Sequence, residues 1–159
     1  MWCRSKEKIP ELVRKEFFIN ISDDSSKEKM MKMIADGFQQ NDYVDNDYFK
    51  KLNERENISS TAFPSGVAIP HTMKFEGNRT GLIILKPASQ VDWSGIKVKL
   101  IIGIAVNKED SHIFNRIFPR IIELTAEPYN INYLVRTNTK NEFIDRLIEL
   151  MVKDNYFPE

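Results

Sequence analysis

Two histidines, His71 and His112, are the residues of this 159-residue chain best suited to group chemistry. His71 ends the run Ser65-Gly66-Val67-Ala68-Ile69-Pro70-His71. A short apolar strand there meets a proline, which has no N–H and fixes its own φ, so the ladder cannot continue unchanged. The imidazole is thus delivered to the rim of a sheet, where sites are commonly built. With an ordinary pKa of about 6.5 the ring is mostly neutral at pH 7, leaving a nitrogen free as nucleophile or base. His112 opens a predicted helix after the strand ending at Val106, where unpaired backbone N–H groups favour an anion. Ligands of α/β sheets collect at the carboxyl ends of strands, so both rings are expected to line one cleft, with phosphate or carboxylate as guest. Arg55, in Leu52-Asn53-Glu54-Arg55-Glu56, adds a planar fork of donors that matches phosphoryl oxygens.

Each of these residues has an ordinary alternative. A histidine near a strand end is often a surface or internally satisfied residue. Arg55 reads equally as a solvated cation near a helix C-terminus or as half of a surface ion pair with Glu54 or Glu56. From the residues alone both readings stay open.

Other chemistries find less support. No HExxH, CxxC, GxGxxG or P-loop occurs, and no carboxylate or cysteine stands at a companion spacing to complete a metal site. Lys plus Arg and Asp plus Glu both number 23, so overall charge gives no case for nucleic acid or membrane. A single cysteine, Cys3, excludes an internal disulfide framework and fits a reducing compartment. The longest apolar run, Leu100 to Val106, is too short to cross a bilayer, and the first residues lack a signal-peptide core. A cytoplasmic location without membrane insertion is expected.

The elements that must position these side chains read as follows. Residues 1–16 are charge-rich and expected to be a tether or inter-domain remnant, 17–153 the domain, and 154–159 a tail, with Trp2, Tyr156 and Phe157 as exposed apolar residues near the ends. Phe17 to Ile21 reads as a strand. Ser25-Ser26-Lys27-Glu28 has capping-box spacing with Ser25 as N-cap, opening a helix to about Gln40. A second helix is expected from near Asp45 to just past Glu56. Ala62 to Ile69 and Gly81 to Leu85 read as strands, and Val98 to Val106 as a central one, apolar on both faces. Pro87 to Ile96 reads as a loop anchored by Trp93. A helix N-capped by Asp110 carries Pro119, expected to kink or divide it. Asn130 to Arg136 is ambiguous between strand and helix, and Thr139-Lys140-Asn141-Glu142 caps a last helix. The class is α/β, a mixed central sheet with helices on both faces.

Taken together, Leu52-Asn53-Glu54-Arg55-Glu56, Ser60-Thr61-Ala62-Phe63 and Gly66-Val67-Ala68-Ile69-Pro70-His71 resemble the mannitol/fructose-type (type-2) EIIA domain of the bacterial sugar phosphotransferase system (PTS). The likeness runs from about Phe17 to Val152. It departs at Pro64-Ser65, where the family usually has Gly-Asn before the Gly-Val-Ala-Ile-Pro-His run. The resemblance implies a phosphohistidine relay without metal or organic cofactor. His71 takes a phosphoryl group from the carrier HPr and passes it to a cysteine of an EIIB domain, His112 hydrogen-bonds that group, and Arg55 stabilises its charge.

Two readings follow within the resemblance. The wording from Arg55 to Phe63 looks like the EIIA-like C-terminal domains of BglG-type transcriptional antiterminators and activators that carry PTS regulation domains. On that reading the chain is a non-enzymatic regulatory phosphoacceptor acting on upstream domains of its own polypeptide, and binds no nucleic acid itself. The alternative is the EIIA phosphocarrier of a fructose- or mannitol-type uptake system.

Overall fold

A computed structural model of the chain describes residues 9–153. Trp2, Cys3, Tyr156 and Phe157 lie outside them. The strands are β1 (Phe18–Ile21), β2 (Ala62–Phe63), β3 (Val67–Ala68), β4 (Gly81–Pro87), β5 (Val91–Trp93), β6 (Ile96–Val98) and β7 (Leu100–Ala105). The helices are α1 (Lys27–Gln40), α2 (Tyr48–Ile58), α3 (Ser111–Thr125), α4 (Pro128–Val135) and α5 (Lys140–Lys153).

Five strands make one sheet in the order β1-β4-β7-β3-β2. The β1–β4 and β3–β7 pairs are parallel, the β4–β7 and β2–β3 pairs antiparallel. This is the expected mixed α/β sheet. Opposite residues Ile83 and Gly103 face α1, and a Cβ at Gly103 would lie 2.6 Å from an Ile34 methyl, so helix and strand touch at a contact only glycine allows. The next residues along, Phe18 and Ile84, pair across the sheet, and Phe18 meets Phe143 of α5 at 5.7 Å on the other face. Helices therefore cover both faces, and β7 is buried along its whole length.

Several local features differ from the sequence reading. The lead-in is packed rather than loose from Ile9 onward: Ile9 and Val13 are buried in the core and Leu12 lies against it, because their spacing makes one apolar face. Phe17 closes a 3₁₀ turn over Lys15–Phe17, and β1 starts one residue later. Helix α1 is capped by Ser26, whose hydroxyl accepts the Lys29 N–H at 3.2 Å, and not by Ser25, whose hydroxyl is buried without a partner. The second helix starts at Tyr48, three residues later than read.

The stretch Ala62 to Ile69 is not one strand. Pro64, Ser65 and Gly66 turn it into a hairpin, with Gly66 at φ +104° and its N–H bonded to the Phe63 carbonyl at 3.0 Å. The segment read as a loop before Val98 is the β5–β6 hairpin, and Trp93 is its fully buried anchor. Asn130 to Val135 resolves as helix, begun by Pro128 at its first turn and closed by Arg136 as C-cap. Pro119 does not divide α3. It sits on the exposed side, where the carbonyl deprived of its N–H partner can bond to water. The Thr139–Glu142 capping box forms as read, with the Glu142 N–H donating to the Thr139 hydroxyl at 3.2 Å.

Candidate functional site

Strand β3 carries the chain to His71. Val67 and Ala68 pair with Leu100 and Ile101 of β7, the Ile69 N–H donates to the Thr61 carbonyl at 3.2 Å, and the Pro70 carbonyl accepts from Ile104 N–H at 3.1 Å. These bonds tie the backbone on both sides of the proline, which fixes the point at which the imidazole leaves the sheet. The ring's Nδ1 lies 2.8 Å from the Ile69 carbonyl oxygen. A carbonyl only accepts, so Nδ1 carries the proton and a neutral ring keeps its lone pair on Nε2.

The ring is half-buried. Phe118 of α3 stands edge-on to it at 4.9 Å with the planes at 90°, and Phe114 and Phe75 continue the aromatic wall. Burial is the largest influence on the ring and lowers its pKa below 6.5. The bond to the Ile69 carbonyl works against this, the Arg55 guanidinium adds to it, and the Glu56 carboxylate opposes it. The outcome is an uncharged imidazole with an unprotonated nitrogen at neutral pH.

Arg55 lies in the last turn of α2, and its guanidinium donates to the Ser59 carbonyl at 2.8 Å. One arm of the fork is fixed. The other donors have no protein partner among the described residues, and the cation is close enough to act on His71. The ion pairs with Glu54 or Glu56, the sequence alternative for Arg55, do not form among the described residues.

His112 is placed differently from His71 and Arg55. It is the second residue of α3, exposed, and makes no hydrogen bond, ion pair or ring contact among the described residues. At six residues' separation it lies about 9 Å along the helix from Phe118 and about 120° around it. Arg55 acts electrostatically on His71, and the exposed His112 stands near the start of α3, roughly a turn and two thirds before Phe118.

Two residues belong to the site that the sequence did not mark. Glu56, read as a surface partner for Arg55, is only 4% exposed. Its carboxylate accepts the Thr61 N–H at 2.8 Å, the Thr61 hydroxyl at 2.6 Å and the Trp93 indole N–H at 3.2 Å, with the Lys27 ammonium at 3.7 Å. No local spacing announces this, since Trp93 is 37 residues away. Ser65, the departure from the usual Gly-Asn, is also buried, and its hydroxyl donates to the Thr125 carbonyl at 2.6 Å. It ties the hairpin that leads to His71 to the C-terminal end of α3.

Among the described residues no three His, Cys, Asp or Glu side chains cluster as a metal site requires, and no helix is long and apolar enough to cross a membrane. Beside His71, Thr72, Met73, Lys74, Lys51, Glu54 and Glu76 line an open cavity of about 340 Å³.

His71, with its ring proton held on Nδ1, thus ends a strand of a mixed five-stranded sheet within electrostatic reach of Arg55. Residues 11–150 match the family model described as "Phosphoenolpyruvate-dependent sugar phosphotransferase system, EIIA 2", and the chain belongs to that family. It is 32% identical to the mannitol-specific phosphotransferase enzyme IIA component of Bacillus subtilis, over 76% of this chain and 85% of that protein. It is 27% identical to the transcriptional regulator ManR of the same organism over 75% of this chain, which spans only 18% of the regulator's length. Among solved structures, the nitrogen regulatory protein IIA-Ntr of Neisseria meningitidis superposes with a TM-score of 0.75 at 18% identity, covering 87% of this chain and 98% of that one. The enzyme IIAMtl of Escherichia coli, solved in complex with phosphorylated enzyme IIBMtl, superposes with a TM-score of 0.66 at 18% identity, over 89% and 97% of the chains. These likenesses show the fold.

Proposed function

We propose that His71 Nε2 accepts a phosphoryl group from phosphorylated HPr and releases it to a cysteine of an EIIB domain. The observation that carries this reading is the 2.8 Å approach of Nδ1 to the Ile69 carbonyl, which parks the ring's proton and leaves Nε2 as the nucleophile. In the transfer the Nε2 lone pair forms the new N–P bond while the donor's P–N bond breaks, its electron pair returning to the donor nitrogen. The Nδ1 proton stays on the ring, still donated to Ile69. A loose phosphoryl-transfer transition state asks for an in-line nucleophile and donors to the equatorial oxygens more than for a strong base. Arg55 supplies such donors from its unpartnered arm, and Phe118 limits water beside the ring. The resemblance also gives His112 a hydrogen bond to the phosphoryl group. Its exposed place on α3 makes it the lesser contributor, behind Arg55.

At the level of the whole protein, the chain is proposed to be the EIIA-like regulatory module of a sugar-responsive transcriptional antiterminator or activator. The similarity to ManR, a regulator of which this stretch is 18%, supports that reading. Phosphorylation adds nearly two negative charges at a formerly neutral ring, enough to remodel a contact with upstream domains or EIIB. The second reading, an EIIA carrier for sugar uptake, is favoured by the 85% coverage of the mannitol component.

Incubation with enzyme I, HPr and phosphoenolpyruvate tests the site. Acid-labile phosphate on the chain, lost in His71→Ala and kept in His112→Ala, is the expected result. Absence of label from the wild-type chain overturns the phosphoacceptor reading. Restoration of mannitol or fructose uptake in an EIIA-deficient strain overturns the purely regulatory one.

A further inference from the structure

We infer that Glu56 is a positioning residue for phosphoryl acceptance, holding through one turn of backbone both the Arg55 guanidinium and the orientation of the His71 ring. The inference rests on the reading of His71 as the phosphoacceptor. Glu56 is a carboxylate 4% exposed, and such a group is costly to bury unless donors surround it. Donors do surround it, and they come from three separate parts of the fold: Thr61 in the turn after α2, Trp93 in β5, and Lys27 in the first turn of α1. Lys27 is itself fixed by a 2.8 Å bond to Ser94 and lies over the Trp93 ring.

From this anchor a chain of hydrogen bonds runs to the site. Glu56 takes both the N–H and the hydroxyl of Thr61. The Thr61 carbonyl takes the Ile69 N–H at 3.2 Å. The Ile69 carbonyl then takes the Nδ1 proton of His71 at 2.8 Å. Within the same turn the Ser59 carbonyl receives Arg55, the residue next to Glu56 in sequence. One buried carboxylate therefore sets the frame for the nucleophile and for the phosphate-binding cation together. Its charge also reaches the His71 ring, where it favours the cationic form. That is the form approached as Nε2 gives its electron pair to phosphorus.

The division of labour is between neighbours: Arg55 faces the anionic group arriving, Glu56 supports the ring that becomes positive. A purely structural carboxylate would stabilise the turn without affecting the ring's proton, and this difference makes the inference testable.

Glu56→Gln keeps the shape and removes the charge, and Thr61→Val removes only the hydroxyl bond. Side-chain ¹⁵N spectra read the tautomer of His71, with His112 as an internal reference, while phosphorylated HPr reads the rate of phosphoryl uptake. In folded Glu56→Gln the uptake rate is expected to fall at least about tenfold. The single Nδ1–H tautomer of His71 gives way to a mixture, and the His112 signals do not move. Thr61→Val shifts both readouts the same way by less. A folded Glu56→Gln protein with wild-type uptake and unchanged His71 signals overturns the inference. Should Glu56→Gln fail to fold, wild-type values of both readouts in Thr61→Val overturn it instead. If the wild-type chain takes up no phosphoryl group, the phosphoacceptor reading fails by itself. The His71 nitrogen signals then decide whether Glu56 orients the ring, and unchanged ones overturn that too.

Discussion

The rings of Phe118 and His71 meet at right angles, 4.9 Å between their centres. The Nδ1 of His71 is already bonded to the Ile69 carbonyl, so Phe118 adds an apolar neighbour to a partly covered ring. Phe118, itself 9% exposed, replaces part of the surrounding water with apolar surface. Burial is the leading cause of the ring's pKa being lowered below 6.5.

Phe118→Leu is expected to loosen this cover while keeping an apolar side chain. The His71 midpoint should rise toward 6.5 and the phosphorylated form should hydrolyse faster, at a stability cost of about 1–2 kcal/mol for the imperfect fit. NMR titration and the decay of acid-labile phosphate check the two effects. An unchanged midpoint would remove Phe118 from the account.

Arg55→Ala is expected to slow phosphoryl uptake about 10²–10³-fold with little change in melting temperature, since among the described residues the side chain bonds only to an exposed carbonyl. Arg55→Lys should recover only part of the rate, because an ammonium lacks the planar fork. His112→Gln should slow uptake no more than about threefold. Initial rates with phosphorylated HPr make the comparison, and a His112 effect as large as that of Arg55 would reverse the ranking.

The pH dependence has a definite sign. The folded chain lowers the His71 pKa below 6.5, so between the two values the unfolded chain binds more protons. The contribution of His71 to stability is therefore complete above about pH 6.5 and is lost as pH falls through its folded value. Denaturant midpoints at about pH 7.5 and about pH 5.5 should drop more for the wild type than for His71→Gln. An equal drop in both would contradict the shift.

Ser65→Ala leaves the Thr125 carbonyl without its 2.6 Å partner in a buried place. A loss of about 1–2 kcal/mol is expected, seen as a melting temperature lower by about 2–8 °C in a domain of this size. Ser65→Gly should lose at least as much. A neutral result would mean that water takes over the bond.

How much of this could be read in advance depended on distance along the chain. The Gly66-to-His71 run carried its own meaning, because a proline, a strand and a histidine act on one another within a few residues. The Thr139 capping box was equally local and formed as written. Glu56 was misplaced because its partners Trp93 and Lys27 lie in other elements, so its spacing resembled an ordinary helix-end charge. Ser25 and Ser26 are chemically alike, and packing decided which one caps α1. Pro64-Ser65-Gly66 could have signalled the hairpin. The apolar run around it outweighed that signal and read as one continuous strand. His112 stands in the first turn of α3, as the helix-start rule placed it.

Ser65 and Phe118 are both engaged with the single helix α3, one through its last carbonyl and the other as part of it. The segment from the hairpin to the imidazole is thereby held at each end by the same rod, like a bar in a vice. On the proposed reading, a phosphoryl group on the imidazole would add negative charge to a segment braced on both sides.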